Sequence, residues 1–170
     1  MTVDEFINDY VLLLDTVDLS LSESQKTRFV NRGASNIRSD IRRLESETMT
    51  GYSSAAIGTT NEADLPTDRD RECPMLFYSD ATYDRDSIIS TDLFRIKGNK
   101  VKIIGATGTV YFEYIKTLTR YTDVTDVIEF QSAAVLEKLA SEVQALIYAA
   151  QDQNQSTASY QNSLEQSNRI

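Results

Sequence analysis

The sequence predicts an α+β protein, mainly helical, with an N-terminal helical hairpin containing one long helix, a small central antiparallel sheet, and a C-terminal helix packing on the core. Three observations lead there: apolar residues recur at helical spacing near both ends of the 170-residue chain, that spacing is lost across the middle, and the middle holds a glycine-punctuated run of aromatic and β-branched residues. With 41% hydrophobic and 25% charged residues the composition is globular, and the length suffices for a core without metal or disulfide staples. The chain has no histidine and a single cysteine, Cys73. That removes Ser-His and Cys-His couples and the usual zinc ligand sets, so no cofactor is expected. Seventeen Lys and Arg against 26 Asp and Glu give a net charge of −9, the wrong sign for a protein whose main affinity is for phosphate backbone. No stretch approaches the roughly 20 apolar residues that cross a bilayer, and the first ten residues are acidic. A soluble protein made in the cytoplasm, with no membrane contact, is expected.

Thr2 and Glu5 have capping-box spacing and precede Val3, Phe6, Ile7, Tyr10, Val11 and Leu14, which predicts a helix over 3–14. Ser22 and Gln25 repeat the signature, and Phe29, Val30, Ala34, Ile37, Ile41 and Leu44 then share one side, which predicts a long helix over 23–47. Residues 48–74 are rich in Ser, Thr, Gly, Asp and Asn and punctuated by Pro66 and Pro74, so a long loop is expected. Strands follow at 75–79, 93–97, 101–104 and 109–116, the middle two joined by a Gly98-Asn99 turn. The last carries apolar groups on both pleat faces, as in a strand covered on both sides. After Ser132, a plausible cap, Leu136, Leu139, Ala140, Val143, Leu146, Ile147 and Ala150 form one stripe and predict a helix over 133–150. These elements read as a single domain over 1–150. Residues 151–170 are dominated by Gln, Asn and Ser and are expected to be a polar tail that frays or docks on a partner.

The far side of the long helix carries Arg28, Arg32, Arg38, Arg42 and Arg43 within an arc of about 140°. The window 22–47 holds six basic and four acidic residues, so the rest of the chain is net −11. Like charges at i,i+4 are mildly unfavourable on an isolated helix, and arginine's planar fork suits bidentate contact with carboxylates. An ordinary solvated face, a contact with an acidic neighbour and direct DNA contact all remain open on these residues alone.

Catalytic readings find little footing. Gly105 to Gly108 lacks the Gly-Lys-Ser/Thr continuation of a phosphate-gripping loop. The acidic sets Asp80, Asp84, Asp86 and Asp64, Asp68, Asp70, Glu72 lack EF-hand spacing. Glu113 has no obvious second carboxylate for glycoside hydrolysis, and Cys73 has no histidine to activate it. A non-enzymatic role is expected, with a carboxylate-dependent enzyme the weakest reading.

The order of features resembles the head-to-tail adaptor, or connector ring, proteins of tailed bacteriophages, also called tail accessory factors. Two helices lead to Leu65-Pro66-Thr67-Asp68, which resembles the family's Leu-Pro-x-Asp lead into its central strands. Leu76-Phe77-Tyr78 follows, and Phe94-Arg95-Ile96-Lys97-Gly98-Asn99-Lys100-Val101-Lys102-Ile103 is similar to the family's hairpin. Gly108-Thr109-Val110-Tyr111-Phe112-Glu113-Tyr114-Ile115-Lys116 resembles its Gly-Thr-aromatic-x-x-Tyr-Tyr strand, ahead of the C-terminal helix. The likeness covers most of 22–150. It departs from the family in having no prolines in Thr117-Leu118-Thr119-Arg120-Tyr121 and no tryptophan before the last helix.

The resemblance implies a virion structural protein at the neck of the particle. Copies of the chain, commonly twelve, would form an oligomeric ring that binds the portal protein, meets a tail or stopper protein and continues the DNA ejection channel without specific DNA binding. The arginine stripe, Arg28, Arg32, Arg38, Arg42 and Arg43, would meet an acidic face of the next subunit, a heterologous contact of opposite signs. The polar tail, through Tyr160, Leu164 and Ile170, would dock on the portal. The alternative is a monomeric acidic protein-binding module or inhibitor that addresses the stripe to a single partner.

Overall fold

The computed structural model describes residues 1–13 and 20–167, with side chains through residue 154. Its α+β architecture comprises five α-helices and two three-stranded antiparallel sheets among the described residues, with the C-terminal helix packed on the core. The chain divides into two compact units, Met1–Glu45 with Leu118–Ile170, and Ser46–Thr117.

The first unit is helical. Helix α1, Val3–Asp9, starts at the expected capping box: Glu5 N–H donates to Thr2 Oγ1 at 3.2 Å, and Thr2 N–H donates to Glu5 Oε2 at 2.8 Å. It ends at Asp9, short of the expected residue 14, which lies outside the described residues. Helix α2, Glu23–Asn36, begins at the second capping box, Ser22 with Gln25. It lies close against helix α5, Ala133–Ser167. A Cβ at Gly33 would stand 2.8 Å from Val143 Cγ2 and 3.2 Å from Leu139 Cδ1, so the absent side chain sets the distance between the two helices. Phe6, Val30, Leu139, Val143 and Ile147 are essentially fully buried in this core, each worth about 1.5–3 kcal/mol of burial.

Two further helical expectations change. The long helix expected over 23–47 is interrupted at Ile37 (φ −96°, ψ 16°) and again at Glu45 (φ −125°, ψ 41°), giving α2, helix α3 (Arg38–Leu44) and the short α4 (Ser46–Met49) of the second unit. Tertiary bonds draw on residues beside both breaks. Asn36 reaches Glu142 at 2.7 Å, and the Glu45 carboxylate caps the start of α5. The helix expected over 133–150 continues to Ser167, a length of 35 residues or about 52 Å. Residues 151–167 therefore extend a helix already nucleated by a packed segment, which their polar composition alone does not forecast.

The second unit holds both sheets. In the first, strand β1 (Thr50–Ala56) pairs antiparallel with β6 (Thr109–Ile115) from Thr50↔Ile115 to Ala56↔Thr109, and β3 (Leu76–Tyr78) pairs on the other side of β6. In the second, β2 (Glu62–Asp64), β5 (Lys100–Ile103) and β4 (Phe94–Lys97) lie in the order β2-β5-β4. The later strands fall where they were expected. The loop expected over 48–74 instead contains the end of α4 and all of β1 and β2. Strand β1 reads Thr-Gly-Tyr-Ser-Ser-Ala-Ala and lacks β-branched alternation; its small residues are what its neighbour requires. A Cβ at Gly51 would lie 2.5 Å from the Tyr114 ring. The core joins Ala63, Leu65, Phe77, Val101, Ile103, Val110 and Phe112, with the Phe77 ring 4.3 Å from Phe94 and 5.7 Å from Phe112.

The outer face of the first sheet carries a tyrosine cluster. Tyr83, held at φ +56°, meets Tyr52, Tyr78 and Tyr111 edge-on at 4.9, 5.2 and 6.1 Å. Tyr78 donates its hydroxyl to Glu113 at 2.5 Å, and burial together with that bond pushes its pKa up to about 12. On the core side, Tyr114 donates to Asp68 Oδ1 at 2.9 Å.

Candidate functional site

The broken helix divides the arginine stripe. Arg28 and Arg32 stand exposed on α2, whereas Arg38, Arg42 and Arg43 fall on α3, past the Ile37 break. Arg43 donates to Asp40 at 3.1 Å, and Lys138 from α5 reaches the other oxygen of Asp40 at 2.9 Å. The bonds from Lys138 and Arg43 hold the Asp40 carboxyl below its ordinary value. Arg38 and Arg42 are half-buried and engaged in interactions of their own. The α3 half of the stripe is thus tied up within the fold.

The α2 half opens into a groove of about 750 Å³, lined by Ser24, Arg28, Asn31, Arg32, Arg120 and Thr122 among others. The segment 120–122 reaches this helix through Asn31, which treats the Tyr121 peptide as a strand partner would. Asn31 Nδ2 donates to Tyr121 C=O at 2.7 Å, and Asn31 Oδ1 accepts from Tyr121 N–H at 2.9 Å. The Tyr121 ring anchors the segment from inside: it is 2% exposed, its oxygen accepts the Glu129 N–H at 3.3 Å, and burial pushes its pKa up to about 12. Glu129 in turn accepts from Thr119 N–H at 3.1 Å and from its hydroxyl at 2.6 Å.

This anchoring sets Arg120 beside Arg28 and Arg32. Arg28 is steadied by the Phe29 ring, 5.6 Å from its guanidinium carbon. Among the described residues no carboxylate lies within ion-pairing distance of Arg28, Arg32 or Arg120. Three guanidinium groups, with hydroxyls from Ser24 and Thr122, form a donor-rich trough for carboxylate or phosphate oxygens. Arginine does not titrate in the working range, so the trough is suited to holding an anion rather than to proton transfer. Among the described residues no group of three or more His, Cys, Asp or Glu is placed to hold a metal ion, and no helix is long and apolar enough to cross a membrane.

The sequence reading placed Arg28 and Arg32 and missed Arg120. No local spacing signals it: Arg120 sits in an irregular link, and its position depends on a side-chain bond spanning 90 residues. Of the expected portal-docking residues, Tyr160 and Leu164 fall on the backbone of α5 with side chains outside the described residues, and Ile170 lies outside them altogether. No family model matches the chain, and no similar curated protein is found.

Proposed function

We propose that this chain is a structural subunit of a ring that joins the portal to the tail or stopper of a tailed phage and continues the channel through which DNA passes. The observation that carries the reading is the groove on α2: three arginines without carboxylate partners among the described residues, on a chain of net charge −9. A cationic trough on an anionic body suits a heterologous contact, in which one face of each subunit meets a different face of the next. The order of the strand motifs supports the same reading, as does a carboxylate-rich surface that repels DNA phosphates and lets the duplex slide. The portal would engage the distal part of α5 through Tyr160, Leu164 and Ile170, and the assembled ring would reside in the virion neck.

The test is assembly. The purified chain, alone and mixed with a tailed-phage portal protein, is examined by native mass spectrometry and negative-stain microscopy. Annular particles of about twelve subunits on the portal are expected. A chain that remains a monomer under both conditions overturns the proposal.

A further inference from the structure

The second sheet has edges of opposite charge. At one edge β2 reads Glu62-Ala63-Asp64, acid, apolar, acid; at the other β4 reads Arg95-Ile96-Lys97, cation, apolar, cation. Between them β5 reads Lys100-Val101-Lys102, and its register sets Lys102 opposite Glu62 and Lys100 opposite Asp64. An acidic strand beside a cationic one is therefore a pairing the molecule already makes internally. On the other side of β5 the register is Arg95↔Lys102 and Lys97↔Lys100, two like-charge pairs directly opposed, an arrangement that disfavours the pairing. Cations accumulate on one face of the β4–β5 hairpin, and among the described residues no acidic strand lies beyond β4 to answer them.

The backbone at this edge is open too. Leu65 N–H donates to Asn99 C=O at 3.0 Å and Ile103 N–H to Asn61 C=O at 2.9 Å, so the alternation of an antiparallel ladder turns Val101 toward β2 and Lys100 and Lys102 toward β4. By the same alternation Arg95 and Lys97 bond to β5, and Ile96 directs its N–H and C=O outward. Ile96 is 46% exposed where its partner Val101 is fully buried. On β2 the outward residues are Glu62, whose C=O is held by Gly58 N–H at 2.8 Å, and Asp64, whose side chain is 79% exposed.

We infer that β4 of one copy receives β2 of a second copy, so that the sheet continues from subunit to subunit as β2-β5-β4-β2-β5-β4. Two β4 edges set together would oppose Arg95 and Lys97 with their own kind, and two β2 edges would oppose carboxylates; only the heterologous pairing matches acid to cation and apolar to apolar. Since β2 and β4 are each antiparallel to β5, they run parallel to one another, and a head-to-tail repeat makes a parallel junction. Such a junction either closes into a ring or grows open-ended. The inference rests on the ring reading for its closure and adds to it a contact separate from the arginine groove.

The test follows the exchange of the Ile96 amide by NMR as the full chain is concentrated from about 10 μM to about 1 mM at low salt. Protection of that amide is expected to rise about tenfold, with the Asp64 amide following. In the Arg95→Glu, Lys97→Glu variant the concentration dependence is expected to vanish while the melting temperature rises, because both internal like-charge pairs become opposite-charge pairs. A merely structural role for these cations predicts the stability change without the loss of association. Ile96→Pro, which removes only an outward N–H, is expected to keep the fold and block association. Exchange at Ile96 that is independent of concentration overturns the inference, and portal-bound rings seen alongside that result leave the ring reading standing. Edge protection in a chain that neither closes into rings nor binds portal supports the junction and removes the ring reading.

Discussion

Glu45 holds the start of α5 through Ser132: one oxygen of its buried carboxylate accepts the Ser132 N–H at 2.6 Å and the Gln131 N–H at 2.8 Å. The residue that breaks the long N-terminal helix is thereby the cap of the C-terminal one, and the negative charge lies at the positive end of the α5 dipole. Glu45→Ala leaves two N–H groups without this acceptor and is expected to cost about 1–3 kcal/mol in urea unfolding, whereas Glu45→Gln, which keeps an acceptor oxygen, costs less.

Gly51 and Gly98 are both glycines for reasons that substitution separates. Gly51→Ala drives a Cβ into the Tyr114 ring and is expected to destabilise by about 1–3 kcal/mol through overpacking. Gly98 has open space around it but sits at φ +63°, so Gly98→Ala costs about 1–2 kcal/mol through backbone strain alone. Thermal melts of the two variants, combined with Tyr114→Leu, distinguish the causes: relief is expected for Gly51→Ala and none for Gly98→Ala.

The groove predicts a split between folding and assembly. Arg28→Glu with Arg32→Glu, or Arg120→Glu alone, touches exposed groups without ion-pair partners among the described residues and is expected to change stability by no more than about 0.5 kcal/mol. Ring formation with portal, read by sedimentation velocity, is expected to weaken strongly. Unchanged assembly in both variants removes the groove from the joint.

Stability is expected to fall at both ends of the pH scale, for opposite reasons. Burial, foremost, pushes Tyr78, Tyr114 and Tyr121 up to about 12 from an ordinary value of 10.0. A raised folded-state pKa leaves their contribution intact below pH 10, and it is lost as pH climbs toward 12, where the unfolded chain has already released those protons. Asp40, bonded by Lys138 and Arg43, and Asp126, bonded by the N–H groups of Asp123 and Thr122, are lowered from 3.8. Their contribution is present above that value and disappears as pH drops below it. Melting temperature against pH checks both limbs; Tyr121→Phe is expected to make the alkaline limb shallower, and an unchanged slope there contradicts the assignment.

Helix α5 predicts a tolerant deletion. Its buried side chains, among those described, run from Val135 to Ile147. Removal of 152–170 is expected to change the melting temperature little and to impair attachment to portal in a pull-down. Full attachment by the truncated chain makes the distal helix dispensable.

How far the sequence disclosed this fold depends on where each determinant resides. The capping boxes at Thr2 and Ser22, the α5 stripe and the Gly98 turn are local codes, written in side chains a few residues apart, and they were legible. Strand β1 was hidden because its small residues answer to the Tyr114 ring some sixty positions away rather than to any pattern of their own. The break at Ile37 and the placing of Arg120 arise from bonds by Asn36 and Asn31 that reach across the unit, so a rotation diagram of residues 23–47 drew one stripe where there are two. The hairpin cations were readable in principle: alternation about Gly98-Asn99 sets Arg95, Lys97, Lys100 and Lys102 on a single face once the turn is recognised.

The pair of hydrogen bonds between Asn31 and the Tyr121 peptide also bears on the guest the proposed groove would take. Asn31 lines the groove beside the cations, and its oxygen and one of its hydrogens are already spent on the backbone. On the proposed reading an ionised acidic side chain is the better complement, because the guanidinium groups of Arg28, Arg32 and Arg120 offer it charged donors in a planar fork.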